Sequence, residues 1–260
     1  MEHFATMEPP RCASRRRWLT HGVLLIAVIV ACVREQQVAA YVEHTQERLE
    51  MVEVVSALFR QSSAATGLDD LDPEIRAVLE RVPRHVFVPS SVADAAYADT
   101  AIPIGHGQTI SQPFIVALMT QLAAVDADSV VLEVGTGSGY QAAVLAELVK
   151  RVYSIEIVAE LAEEAAMRLT RLDYDNVETR AGDGYGGWPE AAPFDAILVT
   201  AAAPEIPLPL IEQLALGGRL VAPVGAAHET QELMLLEKHE NGVIETRTKL
   251  PVAFVPLTRE

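Results

Sequence analysis

Short apolar runs alternate with segments of helical spacing through the middle and the C-terminal half of the chain. The runs predict strands at Val130–Val134, Val152–Glu156, Val177–Arg180, Phe194–Thr200 and Gly217–Val224. Helical spacing predicts helices between them, at Gln141–Val149, Val158–Leu172 and Leu208–Leu214. Strands that alternate with helices are typical of a mainly parallel sheet with helices on its faces. The pattern therefore predicts an α/β fold.

Two further apolar runs follow this alternating region. They cover Glu232–Glu237 and Val243–Lys249, and they flank the pair Asn241-Gly242. Asn-Gly between two such runs is a strong signal for a tight hairpin. We therefore expect a mainly parallel seven-stranded sheet that ends in a C-terminal antiparallel hairpin.

The residues before the sheet predict an N-terminal helical cap. Apolar residues recur at helical spacing from Glu43 to about Ser63. A second helix is expected to start at Asp72-Pro73, with the aspartate as N-cap and the proline in the first turn. The segment His85–Pro89 is predicted to be short and extended.

The first 40 residues differ from the rest. Arg15–Arg17 precede an apolar run from Gly22 to Val33, which is too short for a comfortable transmembrane helix. This pattern is that of an export signal, with a lipoprotein-like box at Ile29–Cys32 or an ordinary cleavage site at Val38–Ala40. A mis-assigned start codon or a poorly ordered extension is the alternative. We therefore divide the chain into an N-terminal extension, 1–44, and one domain, 45–260.

The amino-acid composition argues against some kinds of binding partner and bound group. The chain has 20 Lys and Arg against 36 Asp and Glu, a net charge of −16, which argues against a nucleic-acid partner. Its two cysteines, Cys12 and Cys32, precede the predicted domain and cannot form a disulfide framework or a metal cluster there. No metal site is predicted.

The strand at Val130–Val134 leads into Gly135-Thr136-Gly137-Ser138-Gly139-Tyr140. Glycines at a turn between strand and helix let a ligand approach the backbone closely. A dinucleotide fingerprint needs glycine at the sixth place, where Tyr140 stands. Gly-x-Gly-x-Gly is instead typical of S-adenosyl-L-methionine (AdoMet) sites. A tight turn without a ligand is the alternative.

Glu156 ends the next predicted strand, 17 residues after Gly139. An acidic residue at this place can accept hydrogen bonds from both hydroxyls of a ribose. A solvated glutamate at a strand end is the alternative.

The segment Ile102–Pro113 is rich in glycine and proline and is predicted to be a loop. Ser111 could cap the following helix, with Pro113 in the first turn, and such a cap is a common use of serine. A histidine such as His106 is more often a packing or surface residue than a catalytic acid or base.

The sequence resembles the protein-L-isoaspartate(D-aspartate) O-methyltransferase family from about Glu47 to Thr258. Two pieces are specific to that family: the loop Gly107–Pro113 and Val255-Pro256-Leu257. The other pieces are Val82-Pro83-Arg84, Tyr97-Ala98-Asp99, Glu133–Tyr140, Gly182-Asp183-Gly184, Phe194–Ile197 and Thr200–Pro204.

The resemblance implies a Rossmann-like AdoMet-dependent methyltransferase, with cap and substrate loop at 45–112 and core at 113–260. Ser111 matches the family's active-site serine. The residues that match cofactor contacts are Gln108, Thr109, Ile110, Ser111, Glu133, Gly135, Gly137, Glu156, Asp183, Gly184 and Thr258. Ala253 departs from the family, whose members often carry a larger polar residue there.

The implied reaction is methyl transfer from AdoMet to the free α-carboxylate of L-isoaspartyl and D-aspartyl residues in age-damaged proteins and peptides. The ester then closes to a succinimide without the enzyme, and hydrolysis restores some normal aspartate. The carboxylate is already an anionic nucleophile at neutral pH, so no general base is required. We expect a cytoplasmic monomer outside the membrane, with export or lipid anchoring through residues 1–40 as the alternative.

Three rival functions share part of this pattern. A small-molecule carboxyl or oxygen methyltransferase would have the same cofactor site but not the family-specific loop. A nicotinamide oxidoreductase is disfavoured by Tyr140. A non-catalytic AdoMet-binding protein would fit if export separated the chain from its cofactor.

Overall fold

The structure is a computed structural model and describes residues 44–226 and 229–259. The predictions for the N-terminal extension lie outside these residues. Within them, no helix combines the length and the apolar character needed to cross a membrane.

A seven-stranded sheet forms the centre of the domain, in the order β5-β4-β3-β6-β7-β8-β9. Pairs from β5 to β7 are parallel, and the β7–β8 and β8–β9 pairs are antiparallel. A separate hairpin, β1–β2, precedes the sheet. The strands are β1 (Ile102–Gly105), β2 (Gln108–Ile110), β3 (Val130–Val134), β4 (Arg151–Glu156), β5 (Val177–Ala181), β6 (Phe194–Val199), β7 (Leu214–Val224), β8 (Gln231–Lys238) and β9 (Ile244–Val252).

Helices cover the sheet, and the predicted fold class is confirmed. The helices are α1 (Thr45–Thr66), α2 (Pro73–Arg81), α3 (Pro113–Ala123), α4 (Tyr140–Ala146), α5 (Ala159–Arg171) and α6 (Leu208–Gln213). The N-terminal helices α1 and α2 pack on α3, which lies against β6 and β7. Val131 and Leu132 are both fully buried in different hydrophobic clusters, because successive strand residues face opposite sides of the sheet.

Local sequence explains the start of α2 and the final hairpin. The Asp72 carboxylate accepts hydrogen bonds from the backbone N–H groups of Glu74 (2.8 Å) and Ile75 (3.4 Å). This is the predicted N-cap, with Pro73 as the first helical residue. Asn241-Gly242 forms the turn between β8 and β9, with Gly242 at φ 79°.

Two predictions before the sheet were wrong. His85 and Phe87 are not extended but belong to a 3₁₀ helix, Arg84–Phe87, which starts after Pro83 and buries the side chain of Arg84. The segment 102–113, predicted to be a loop, contains the β1–β2 hairpin. Its turn residues Gly105, His106 and Gly107 all have positive φ. The glycines allow this turn, and Ile102 and Ile110 bury its inner face.

Candidate active site

A cleft lies at the carboxyl ends of β3, β4 and β6. This is where open α/β sheets bind ligands. The lining residues include 108–111, 133–138, 155–157 and 255–258, together with Gly184 and Thr200. Segments that are far apart in the sequence therefore meet in one cleft.

The glycine turn between β3 and α4 forms one wall. Gly135, Gly137 and Gly139 have φ values of 101°, 52° and 87°, which L side chains rarely adopt. A Cβ atom on Gly135 would also overlap the hydroxyl of Thr200, and one on Gly184 would overlap Val134. At its glycines this wall is backbone without side chains, which a ligand can approach closely.

Glu156 lies where the sequence predicted it, at the end of β4 and in the cleft wall. It is 5% exposed, so it is not a solvated strand-end residue. Its Oε2 accepts a hydrogen bond from the Gly137 N–H (2.7 Å), and its Oε1 accepts one from the Val158 N–H (3.0 Å). The carboxylate thus fixes the glycine turn and retains acceptor capacity for a ligand.

Glu133 is the most perturbed carboxyl group of the cleft. It is fully buried, and burial raises the pKa of Glu133 to about 8, although the Ser154 hydroxyl opposes the shift by donating a hydrogen bond to Oε2. The Ser154 hydroxyl in turn meets Thr136 Oγ1 at 2.6 Å. Oε1 of Glu133 is buried and finds no hydrogen-bond partner within residues 44–226 and 229–259. Such an oxygen is suited to a ligand with a positive charge or a donor.

Ser111 lines the cleft but does not cap α3. The N-cap position is Gln112, and its side chain makes no capping bond. Asp99 supplies the cap instead, because its Oδ1 accepts from the Phe114 N–H at 2.9 Å. The interpretation of Ser111 as the cap of α3 is therefore wrong. Its hydroxyl is left available to the cleft.

The remaining predicted residues divide into two groups. Gln108, Thr109, Ile110, Gly184 and Thr258 line the cleft. Asp183 is exposed and is not a lining residue, and its carboxylate accepts a hydrogen bond from the Tyr185 N–H at 2.9 Å.

Sequence reasoning missed Thr200 as a site residue. Its hydroxyl donates to the carbonyl oxygen of Gly135 at 2.6 Å and thereby holds the glycine turn from the side of β6. The signal was present, because Thr200 directly follows the last residue of a parallel strand, as a polar residue at the carboxyl edge of the sheet.

The cleft fits AdoMet on two observations. The turn presents backbone without side chains to the cleft at Gly135 and Gly137. The buried Oε1 of Glu133 is suited to a donor or a cation, and AdoMet carries both an ammonium and a sulfonium group.

Comparison with known proteins identifies the family. The profile of the protein-L-isoaspartate(D-aspartate) O-methyltransferase family matches residues 54–260. The chain belongs to this family. A protein-L-isoaspartate O-methyltransferase from Polaromonas sp. is 59% identical over 208 residues, which are 80% of this chain and 99% of that protein. Another from Syntrophobacter fumaroxidans is 58% identical over 211 residues, 81% of this chain and 85% of that protein. The resemblance stated from the sequence is confirmed.

Solved structures of this family have the same fold. One protein-L-isoaspartate O-methyltransferase aligns with a TM-score of 0.67 at 28% identity, covering 79% of this chain and 65% of that chain. A second, described as the enzyme of Plasmodium falciparum in complex with S-adenosyl-L-homocysteine, aligns with a TM-score of 0.65 at 26% identity. That alignment covers 79% of this chain and 98% of the other.

Proposed function

We propose that this protein transfers a methyl group from AdoMet to the α-carboxylate of L-isoaspartyl, and D-aspartyl, residues in damaged proteins and peptides. The observation that carries the proposal is the cleft, in which the family's substrate loop, 108–111, faces the glycine turn. A small-molecule methyltransferase would share the turn but not this loop. Family membership over residues 54–260 supports the same substrate class.

The residues that would hold the cofactor lie on different sides of the cleft. Gly135 and Gly137 offer bare backbone, Glu156 would accept hydrogen bonds from the ribose hydroxyls, and Glu133 would face a cationic group. When bound, AdoMet supplies a methyl group that its sulfonium has already activated. We assign the adenine side to Gly184 and the closing side to Gln108–Ile110 and Thr258. Asp183 does not line the cleft, and its contact with the adenine remains a prediction from the resemblance.

Ser111 is the proposed catalytic residue. Its hydroxyl would donate a hydrogen bond to one oxygen of the substrate carboxylate and aim the other oxygen at the methyl group. The isoaspartyl carboxylate has a reference pKa of about 3.3–3.7, so no side chain needs to remove a proton. Orientation in a site that excludes water is then the main contribution, worth about 7–11 kcal/mol in well-aligned reactions.

The test uses two peptides that differ only in aspartate or isoaspartate at one position. With methyl-labelled AdoMet, we expect label as a base-labile ester on the isoaspartyl peptide alone. Ser111→Ala should bind AdoMet normally and lose about tenfold or more in turnover, since 1.36 kcal/mol of barrier corresponds to a factor of ten. Equal labelling of both peptides, or of neither, would contradict the proposal.

We also propose that residues 45–260 form the complete catalytic unit and work as a monomer. The Polaromonas relative consists almost entirely of the matched 208 residues, which supports the bounds of the catalytic unit. Light scattering on the purified protein tests whether it is a monomer.

A cytoplasmic location is proposed because AdoMet is made in the cytoplasm. Mass spectrometry of the chain from its own cells would reveal cleavage or a lipid on Cys32.

A further inference from the structure

Arg84 is completely buried beside the loop that carries Ser111. Its Nε donates to the carbonyl oxygen of Ala96 at 2.8 Å, and its Nη2 donates to the carbonyl oxygen of Ser111 at 2.7 Å. The guanidinium carbon lies 4.9 Å from the centroid of the Tyr140 ring. One side chain therefore connects the substrate loop to the helix that follows the glycine turn.

Burying a charged side chain costs desolvation free energy, which an apolar side chain does not require. Burial lowers the pKa of Arg84 to about 10, which still leaves the guanidinium charged at neutral pH. An apolar residue of similar volume is often at least as stabilising as a buried charged group. The hydrogen-bond geometry of the planar guanidinium is what an apolar residue cannot supply.

Asp99 fixes the other side of Ser111. Its Oδ1 accepts from the Phe114 N–H at 2.9 Å, and its Oδ2 accepts from the Gln112 side-chain amide at 2.6 Å. Arg84 holds the carbonyl of Ser111 itself. The backbone is thus anchored at Ser111 and again at Phe114, three residues later.

We propose that Arg84 is a positioning residue for methyl transfer. By holding the carbonyl of Ser111, it fixes the place from which the Ser111 hydroxyl reaches the substrate carboxylate. The inference rests on the proposed function of Ser111. A displacement of about 1 Å in such a group can cost about a hundredfold in rate, so loss of this anchor should be visible in turnover.

A double-mutant cycle with Arg84→Lys and Ser111→Ala tests the proposal. Lysine keeps the charge but cannot reproduce the diverging hydrogen bonds of the guanidinium to the carbonyl oxygens of Ala96 and Ser111. Arg84→Lys should lower kcat on the isoaspartyl peptide about tenfold and change the AdoMet Kd less than about twofold. In the Ser111→Ala background the same change should cost less than about twofold, because the group that it positions is gone.

Arg48→Lys is the matched control. Arg48 is also buried, at 3% exposure, and donates to the carbonyl oxygen of Glu80 (2.7 Å) and the hydroxyl of Tyr97 (3.3 Å). We expect this variant to melt at a lower temperature and to keep normal kcat. Turnover is expressed per AdoMet-binding site, so unfolded protein does not count. If Arg84→Lys does not fold, the neutral variant Arg84→Gln takes its place in the cycle.

The outcomes separate the two proposals. A wild-type protein without isoaspartyl-dependent transfer contradicts the proposed function. An active wild-type protein in which the Arg84 variant loses the same factor in kcat with and without Ser111 overturns the role of Arg84 alone. A loss confined to the Ser111-containing background supports it, because a merely structural arginine would act equally in both.

Discussion

Replacing Glu133 by glutamine should remove part of the pH dependence of AdoMet binding. The carboxyl group is fully buried in the cleft wall, and burial raises the pKa of Glu133 to about 8. Its Oε1 meets no hydrogen-bond partner in the described part of the chain. A cationic ligand beside it favours the ionised form and lowers this pKa. Binding of AdoMet should therefore release a proton from Glu133.

The size of the effect follows from the pKa. With a pKa of about 8, roughly nine tenths of the molecules carry this proton at pH 7. Expelling it costs about 1.4 kcal/mol, which is a factor of about ten in Kd. Between pH 7 and pH 9 the wild-type Kd for AdoMet should thus fall about tenfold more than that of Glu133→Gln. Titration of AdoMet itself affects both proteins equally and cancels in the comparison.

Titration calorimetry at pH 7 measures the proton directly. Experiments in two buffers of different ionisation enthalpy give the number of protons released for each cofactor bound. The wild-type protein should release about one proton more than Glu133→Gln. Equal proton release, together with parallel pH profiles of Kd, would refute the reasoning.

The protein without ligand gives an independent check. The pKa of Glu133 lies above its ordinary value of 4.5, so the folded state binds more protons than the unfolded state between about pH 4.5 and pH 8. The contribution of Glu133 to the free energy of unfolding then decreases as the pH rises through this window. Relative to Glu133→Gln, wild type should therefore lose stability from pH 5 to pH 9, as measured by thermal unfolding of both proteins.

Two further substitutions test the cleft, and one truncation tests the bounds of the domain. Glu156→Ala should weaken AdoMet binding by about 3 kcal/mol or more through loss of two charge-assisted hydrogen bonds. If calorimetry shows an unchanged AdoMet affinity for the folded variant, Glu156 does not bind the ribose. Gly184→Ala should weaken AdoMet binding at least tenfold, because its Cβ would overlap Val134, and a fluorescence titration with normal affinity would contradict this. A chain that begins near Thr45 should keep wild-type turnover and melting temperature, since the Polaromonas relative is matched over 99% of its length by only 208 residues. An inactive truncation would show that residues 1–44 are needed.

The sequence was most informative where the cause of a structure is local. The turn after β3 and the cap of α2 are determined by residues a few positions apart, and both were predicted correctly. The Asn241-Gly242 hairpin belongs to the same group. Periodicity was sufficient for the strands, because the five parallel strands are bounded by turn residues and the helices between them are amphipathic or apolar.

The wrong predictions concern residues whose structure is determined by hydrogen-bond partners that are distant in the sequence. Ser111 was a plausible cap for α3, but the cap comes from Asp99, twelve positions earlier. His85 was predicted to be extended, whereas burial of Arg84 against residues 96 and 111 accompanies a 3₁₀ turn. Nothing in the sequence marks Arg84 as more buried than any other arginine.

The Asn241-Gly242 turn has a chemical consequence for the protein's own lifetime. Asparagine before glycine is open to attack on its side-chain amide by the next backbone nitrogen, because glycine offers no steric hindrance. Both residues are exposed, so the resulting succinimide would open there to an isoaspartyl residue. We therefore expect stored protein to accumulate damage of the kind that we propose it acts on, and peptide mapping of residue 241 tests this.

The position of the turn determines whether a chain could repair its own damaged residue or only that of another copy. The turn joins Lys238 to Ile244 at the edge where the parallel strands begin, and the cleft lies at the opposite edge, beyond the ends of β3 and β4. A chain cannot bring its own residue 241 to its own Ser111. Maintenance would have to pass from one copy to another, so its rate would depend on the concentration of the protein.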